Sequence, residues 1–254
     1  MGWLDATEGF DLDDDGAVDN LLGLLSSIAN PHYERTVRNG DRIEILDIDL
    51  GSWPAEMNDD EVALEAAFFR AVDADEPPDP TNNYDGAGRF LAVQEQFDVN
   101  CRPTSKFDEA RVRGRRVEMK TDRLPFVVGW RGTAEFRRLQ FEGEFDDTRT
   151  RLQAKVGAAW TSCSLSTLPS PMNQEVSSLD GLVGLEILPD IDMDGDGLET
   201  MVMENQRVIA CIDGDGSRID GKNCACDPRI ADGYSIAYFM ELVPAQVLGI
   251  ADWR

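Results

Sequence analysis

Between Asp41 and Trp160 the hydrophobic pattern repeats with a period of two, in short runs broken by polar turns, and this cadence constrains the fold more than any other feature. In RIEILDIDL, Ile43 and Ile45 alternate with acids and, after a slip, Ile48 and Leu50 continue the pattern. Further strand candidates are 62–72, 89–97, 110–120, 125–130, 136–145 and 151–160. Between them stand EPPDPTNNYDGAG, VNCRPTS, TDRL, RGTA and DDTRT, most of them rich in turn-forming residues. VALEAAFF is helical by composition and is read as a strand from its neighbours. Another strand is expected over 199–210. In YSIAYFMELV, Ile236, Tyr238, Met240 and Leu242 share one face and Ala237, Phe239 and Val243 the other. With both faces apolar, this segment is expected at the centre of its sheet. The cadence predicts a mainly β (α+β) protein, an antiparallel β-sandwich or barrel.

The first residues follow another rule. Apolar residues at 18, 21, 22, 24, 25 and 28 have a helical period, which Pro31 is expected to interrupt before Asn39-Gly40. The chain is therefore divided into an N-terminal loop-and-helix segment, 1–40, docked on a β-rich domain, 41–254. TSCSLSTLPSPMNQ, from residue 161, reads as a connector. No repeat of fixed length covers the chain.

Two stretches carry chemistry. DLDDDGAVDN, 11–20, places Asp11, Asp13 and Asp15 at alternate positions, then Gly16, Ala17 and Asp19. Calcium takes ~6–8 oxygen ligands, and alternate side chains on a loop converge on it when a glycine permits the sharp turn. The Ala17 carbonyl and the Asp19 carboxylate would complete the set, while Val18 anchors the loop. Leu22 stands where a full EF-hand has its twelfth-position Glu. The stretch instead resembles the shorter D-x-D-x-D-G-x-x-D loops of thrombospondin type 3 and dockerin-like repeats, and that resemblance implies a calcium site with Asp19 as a ligand. DIDMDGDGLE, 190–199, is similar, with Asp192, Asp194, Asp196, Gly197 and the Leu198 carbonyl in register. Its last acid, Glu199, falls one position early, and Asp190 is the alternative ligand. CIDGDGSRID is a half-motif offering Asp213, Asp215 and Asp220.

Composition narrows the function. Lys and Arg number 24 against 49 Asp and Glu, a net charge of -25, so nucleic acid and anionic membrane surfaces are repelled and cations attracted. No apolar run approaches the ~20 residues of a membrane span, and MGWLDATEGF shows no secretion signal. Of the five cysteines, Cys211, Cys224 and Cys226 cluster as a local disulfide staple and Cys101 with Cys163 is a candidate second bridge, leaving one thiol over. Disulfides imply an extracellular, cell-surface or periplasmic location.

No catalytic constellation stands out. His32 is the only histidine and is read as a surface or capping residue. Glu142, Glu144 and Asp146 alternate on one strand candidate and Arg111, Arg113 and Arg115 on another, which predicts a solvent-facing ladder of opposite charges. The sharper alternatives are a glycosidase carboxylate pair, or a basic stripe completed by Arg137 and Arg138. Tyr84, flanked by Asn82, Asn83 and Asp85, is the best exposed sugar-stacking aromatic. The expected function is that of an extracellular protein with structural calcium, non-enzymatic, binding a protein or polysaccharide at the cell surface or self-associating. A calcium-dependent carbohydrate-binding protein or carbohydrate-active enzyme is the alternative.

Overall fold

The computed structural model describes residues 2–49, 60–127, 133–161, 189–195, 197–198, 200–204, 207–212, 216–220 and 232–251. The strands are β1 Gly2–Trp3, β2 Ile43–Ile48, β3 Glu61–Ala63, β4 Ala66–Asp73, β5 Arg89–Val93, β6 Glu109–Arg113, β7 Arg116–Val127, β8 Thr133–Phe145, β9 Leu152–Thr161, β10 Thr200–Glu204, β11 Arg207–Ile212, β12 Arg218–Asp220, β13 Gly233–Leu242 and β14 Gln246–Ala251. A seven-stranded antiparallel sheet runs β1-β13-β9-β8-β7-β6-β3, and a four-stranded sheet runs β14-β5-β4-β2. β10, β11 and β12 form a separate three-stranded sheet. The architecture is a mainly β sandwich, and none of these sheets closes into a barrel.

The two larger sheets face each other because each presents an apolar face of alternate residues. Val117 and Met119 on β7 are fully buried, and Leu124 and Phe126 continue the inward face. Phe68 of the small sheet stacks on Phe126 at 5.2 Å, and Leu46 and Ile48 of β2 pack on the same core. Each such side chain contributes about 1.5–3 kcal/mol by leaving water.

Several boundaries differ from the sequence reading. Segment 110–120 is not one strand: β6 and β7 form a hairpin, turned by Gly114 at φ +59, the left-handed residue that a two-residue loop needs. TDRL is not a turn, and β7 runs through it paired to β8. Thr121 is satisfied inside the strand, its hydroxyl 2.8 Å from Asp108 Oδ2. Residues 62–72 divide into β3 and β4, which belong to different sheets, and 199–210 divides into the β10–β11 hairpin. β14, unforeseen, joins β5 in parallel.

The helical segment begins as a 3-10 turn over Leu21–Leu25 and continues as helix α1, Ser26–Arg38. Pro31 does not interrupt α1. It is exposed, and its missing N–H removes only the bond to the Ser27 carbonyl. His32 lies within α1, and its side chain is outside the described set. Leu22 and Leu25 are buried in the main core, which fastens the N-terminal segment to the sandwich.

β13 is not central. Its outer neighbour is β1, only two residues long, which covers Tyr238 and Phe239. The rest of that edge is closed by other pieces. The Ala237 carbonyl accepts from Leu4 N and the Ala237 N–H donates to Asn20 Oδ1. The Ser235 N–H donates to Asp190 Oδ1, and Gly233 forms a bridge with Ile191. An edge that would otherwise template pairing with another chain is sealed by residues adjoining the two aspartate loops.

Candidate metal centre

The described residues of the two loops share backbone features. In the first, Asp14 and Gly16 are left-handed at φ +65 and +89. In the second, Gly195 and Gly197 are left-handed at the matching positions, at +85 and +109. Each leading carboxylate folds back on the glycine five residues later: Asp11 Oδ2 accepts from Gly16 N at 2.9 Å and Asp192 Oδ2 from Gly197 N at 3.1 Å. Asp11 Oδ1 also accepts from Asp15 N, and Asp15 Oδ1 from Ala17 N. The turns hold the carboxylates inward, and oxygens of Asp11, Asp13 and Asp15 lie within 4.8 Å of one another. Each acceptor oxygen keeps a second lone pair for a cation.

The loops also share one bed. Phe10 and Leu12, flanking Asp11, and Ile191 and Met193, flanking Asp192, form a single apolar cluster with Ala159 on the outer face of the large sheet. Phe10 seats on Gly157, where a Cβ would stand 2.3 Å from its ring. Around this cluster, polar side chains of β8 and β9 donate to the loop backbones. Lys155 Nζ donates to Gly9 O at 2.8 Å and lies 4.5 Å from the centroid of the Phe10 ring. Gln140 Nε2 donates to Asp11 O at 3.1 Å. Arg138 spans both loops, donating to Leu12 O and to Asp192 O at 3.3 Å each. It sits at φ +51 in a bulge of β8 against β9, and the extra residue re-aims its side chain.

Ser235 is the second junction. Its hydroxyl accepts from Leu21 N at 2.6 Å and donates to Asp190 Oδ2, while its own N–H goes to Asp190 Oδ1 at 2.8 Å. Asp19 holds its own loop shut, Oδ2 accepting from Leu12 N at 2.5 Å.

Electrostatics set these acids against one another. Burial raises the Asp19 carboxyl above its ordinary range, the Leu12 amide pulls it back, and Asp13, Asp190 and Asp15 push it further up. Burial likewise raises Asp190, opposed by the Ser235 hydrogen bonds and reinforced by Asp13. An acid with a raised native value favours the fold below its unfolded pKa and loses that contribution as pH rises through the native one. Near neutrality these carboxylates therefore weaken the fold unless a cation joins them.

Of the other expected ligands, the exposed residues Ala17 and Leu198 occupy matching places, and Asp194 stands in the second loop. Asp196 and Glu199 lie outside the described residues, as do Asp213 and Asp215, while Asp220 ends β12. Cys101 is a free, exposed thiol, so the bridge expected to Cys163 has no support from its side. Cys163, Cys224 and Cys226 lie outside the described residues, and the Cys211 side chain is likewise not described.

The arginines do not form a stripe. Arg111 pairs with Glu118, Arg115 with Glu144 and Asp147, and Arg137 with Asp122. β7 lies between β6 and β8, so the expected ladder does not join those two strands directly: Arg115 reaches Glu144, Arg111 meets Glu118 of β7, and Asp146 shapes its own turn by accepting from Thr148 and Thr150. Sequence reading missed Arg138, Gln140 and Lys155 as loop supports, although the repeated Phe-Asp-Leu-Asp and Ile-Asp-Met-Asp pattern hinted at a common apolar bed.

Arg138→Met should keep the stem of this side chain and remove both loop contacts. Hydrogen bonds from a charged donor are worth about 1.5–3 kcal/mol. Thermal melts should show a fall in Tm of about 5 °C; an unchanged melt would deny Arg138 this role.

Comparison with protein-family models, with curated proteins and with solved structures gives no match.

Proposed function

We propose that this protein is an extracellular binding module in which calcium is structural, filling the two aspartate loops and clamping the N-terminal segment and residues 190–198 onto the sandwich. Asp11, Asp13, Asp15, the Ala17 carbonyl and the free lone pairs of Asp19 supply the first site. Asp192, Asp194, Asp196 and the Leu198 carbonyl supply the second, with Glu199 as a further candidate donor. Asp190, held by Ser235 at both oxygens, anchors the second loop to β13.

The observation that carries this reading is the congruence of the loops: two stretches far apart in sequence share left-handed positions, the same carboxylate-to-glycine hydrogen bond and one apolar bed. An acidic surface turn has no reason to repeat that arrangement, whereas oxygen-rich coordination of a hard cation does. The module's partner is a polysaccharide or protein at the cell surface, or a second copy. Among the described residues, no helix is long and apolar enough to cross a membrane.

Isothermal titration of metal-stripped protein should give two calcium ions per chain. Asp11→Ala should lose one of them. Absence of any binding heat at several temperatures, together with an unchanged amide NMR spectrum on adding calcium, would refute the proposal.

A further inference from the structure

A cleft of about 400 Å³ lies away from the aspartate loops, where β2, the loop carrying Tyr84, the β8–β9 turn and the chain after β13 meet. Small-molecule sites begin at about 300 Å³. We propose that this cleft binds a neutral saccharide unit, with Tyr84 as its stacking platform and Asn83 and Glu44 as its polar contacts. This rests on the reading of the chain as a binding module and is independent of its calcium.

Unpartnered polar atoms carry the inference. Asn83 is 7 % exposed, lines the cleft and has no hydrogen-bond partner at either Nδ2 or Oδ1. A buried carboxamide with both ends unmet is costly to the fold, and a native structure rarely retains one without use. Glu44, also in the lining, gives Oε1 to Arg42 and leaves its buried Oε2 unmet. The wall therefore lacks one donor's partner and two acceptors' partners, and adjacent hydroxyl groups, each both donor and acceptor, supply both kinds.

Charge selects against ions. In a chain of net charge -25, this lining sets Arg42, Arg149 and Arg151 against Glu44, Asp47 and Glu241, three against three. Arg151 pairs with Glu241, and Arg42 with Glu44 beneath the Tyr33 ring. The lining's own charges are therefore balanced and mostly paired, giving no fixed site for an anion or a cation. The other surfaces are apolar, including Phe68, Phe90, Leu152 and Met240. Tyr84 is 42 % exposed in the lining, an aromatic face suited to the C–H side of a pyranose ring. A nucleoside could use the same atoms, but phosphorylated forms are repelled by the whole molecule.

The test is saturation-transfer NMR and calorimetry at saturating calcium, with methyl glycosides of glucose, galactose, mannose and N-acetylglucosamine, their neutral tetrasaccharides, glucuronate and adenosine as probes. At least one neutral saccharide should bind. Tyr84→Ala and Asn83→Leu should each weaken it at least tenfold, while Val99→Ala, in a remote exposed turn, should not. Asn83→Leu should melt no lower than the parent, because the amide it removes has no partner in the fold. Binding only of glucuronate or adenosine, no binding of any probe, or neutral-saccharide binding unaffected by Tyr84→Ala would overturn the proposal. The calcium reading is judged separately, by metal stoichiometry.

Discussion

Metal-stripped protein should melt about 10 °C below the same protein in millimolar calcium, because a site held at 1,000 times its Kd adds about 4 kcal/mol and a chain of this size shifts ~2–4 °C per kcal/mol. The effect has a local origin. Oxygens of Asp11, Asp13 and Asp15 gather within 4.8 Å, and Asp13 and Asp190 both raise the Asp19 carboxyl from neighbouring positions. Without a cation that repulsion opposes the turn that brings the carboxylates together; with one it becomes coordination. Asp11→Ala should lose part of the calcium-induced rise and leave the rest to the second loop. Magnesium, smaller and reluctant to shed water, should stabilise less. Scans that coincide within a degree in chelator and in calcium would leave the loops as acidic turns.

Asn20→Leu should be similarly damaging, by about 3–5 kcal/mol, since each buried polar group left unmet costs about 1–3 kcal/mol. Asn20 is 3 % exposed. Its Nδ2 donates to Asp5 O at 2.9 Å and Glu8 O at 2.8 Å, and its Oδ1 accepts from Ala237 N at 2.9 Å. Leucine has the same branching and number of side-chain heavy atoms, so the loss comes from hydrogen bonds and not from a cavity. The Ala237 N–H faces the side that β1 is too short to cover, and nothing else in the strand order serves it. Chemical denaturation should report the destabilisation, with amide exchange fastest along the outer edge of β13. A variant as stable as the parent would show that water replaces Asn20 there.

Much of the sandwich was legible because its signal is local. Ile43 and Ile45 are buried with Glu44 between them, and β8 and β9 fall within a few residues of their expected limits. Reading failed where a tertiary partner overrides the local rule. TDRL has turn chemistry, yet β8 pairs across it and Asp108 satisfies Thr121. β13 reads as central from its two apolar faces, yet it lies next to the sheet edge: Ile236, Tyr238 and Met240 enter the core, while on the other face Ala237 is buried and Phe239 is 43 % exposed. The alternating aspartates were visible, and their spacing maps onto the observed turns. Their shared bed was not, since it depends on Arg138, Gln140 and Lys155, which lie on strands far from either loop in sequence. Asn83 was noticed only as a flank of Tyr84; that its amide goes unmet depends on packing alone.

Phe10 and Ile191 meet although most of the chain lies between them. Closing so long a loop costs entropy before any contact repays it, so the layer they share is expected to form after the sheets beneath it. The β8–β9 hairpin supplies the bed early from neighbouring residues, whereas the cover needs both the beginning of the chain and its last quarter. A chain in which Ile191 fails to dock would hold the folded sheets with part of that face uncovered, and a metal in the loops would then act on the final step of assembly rather than on its nucleus.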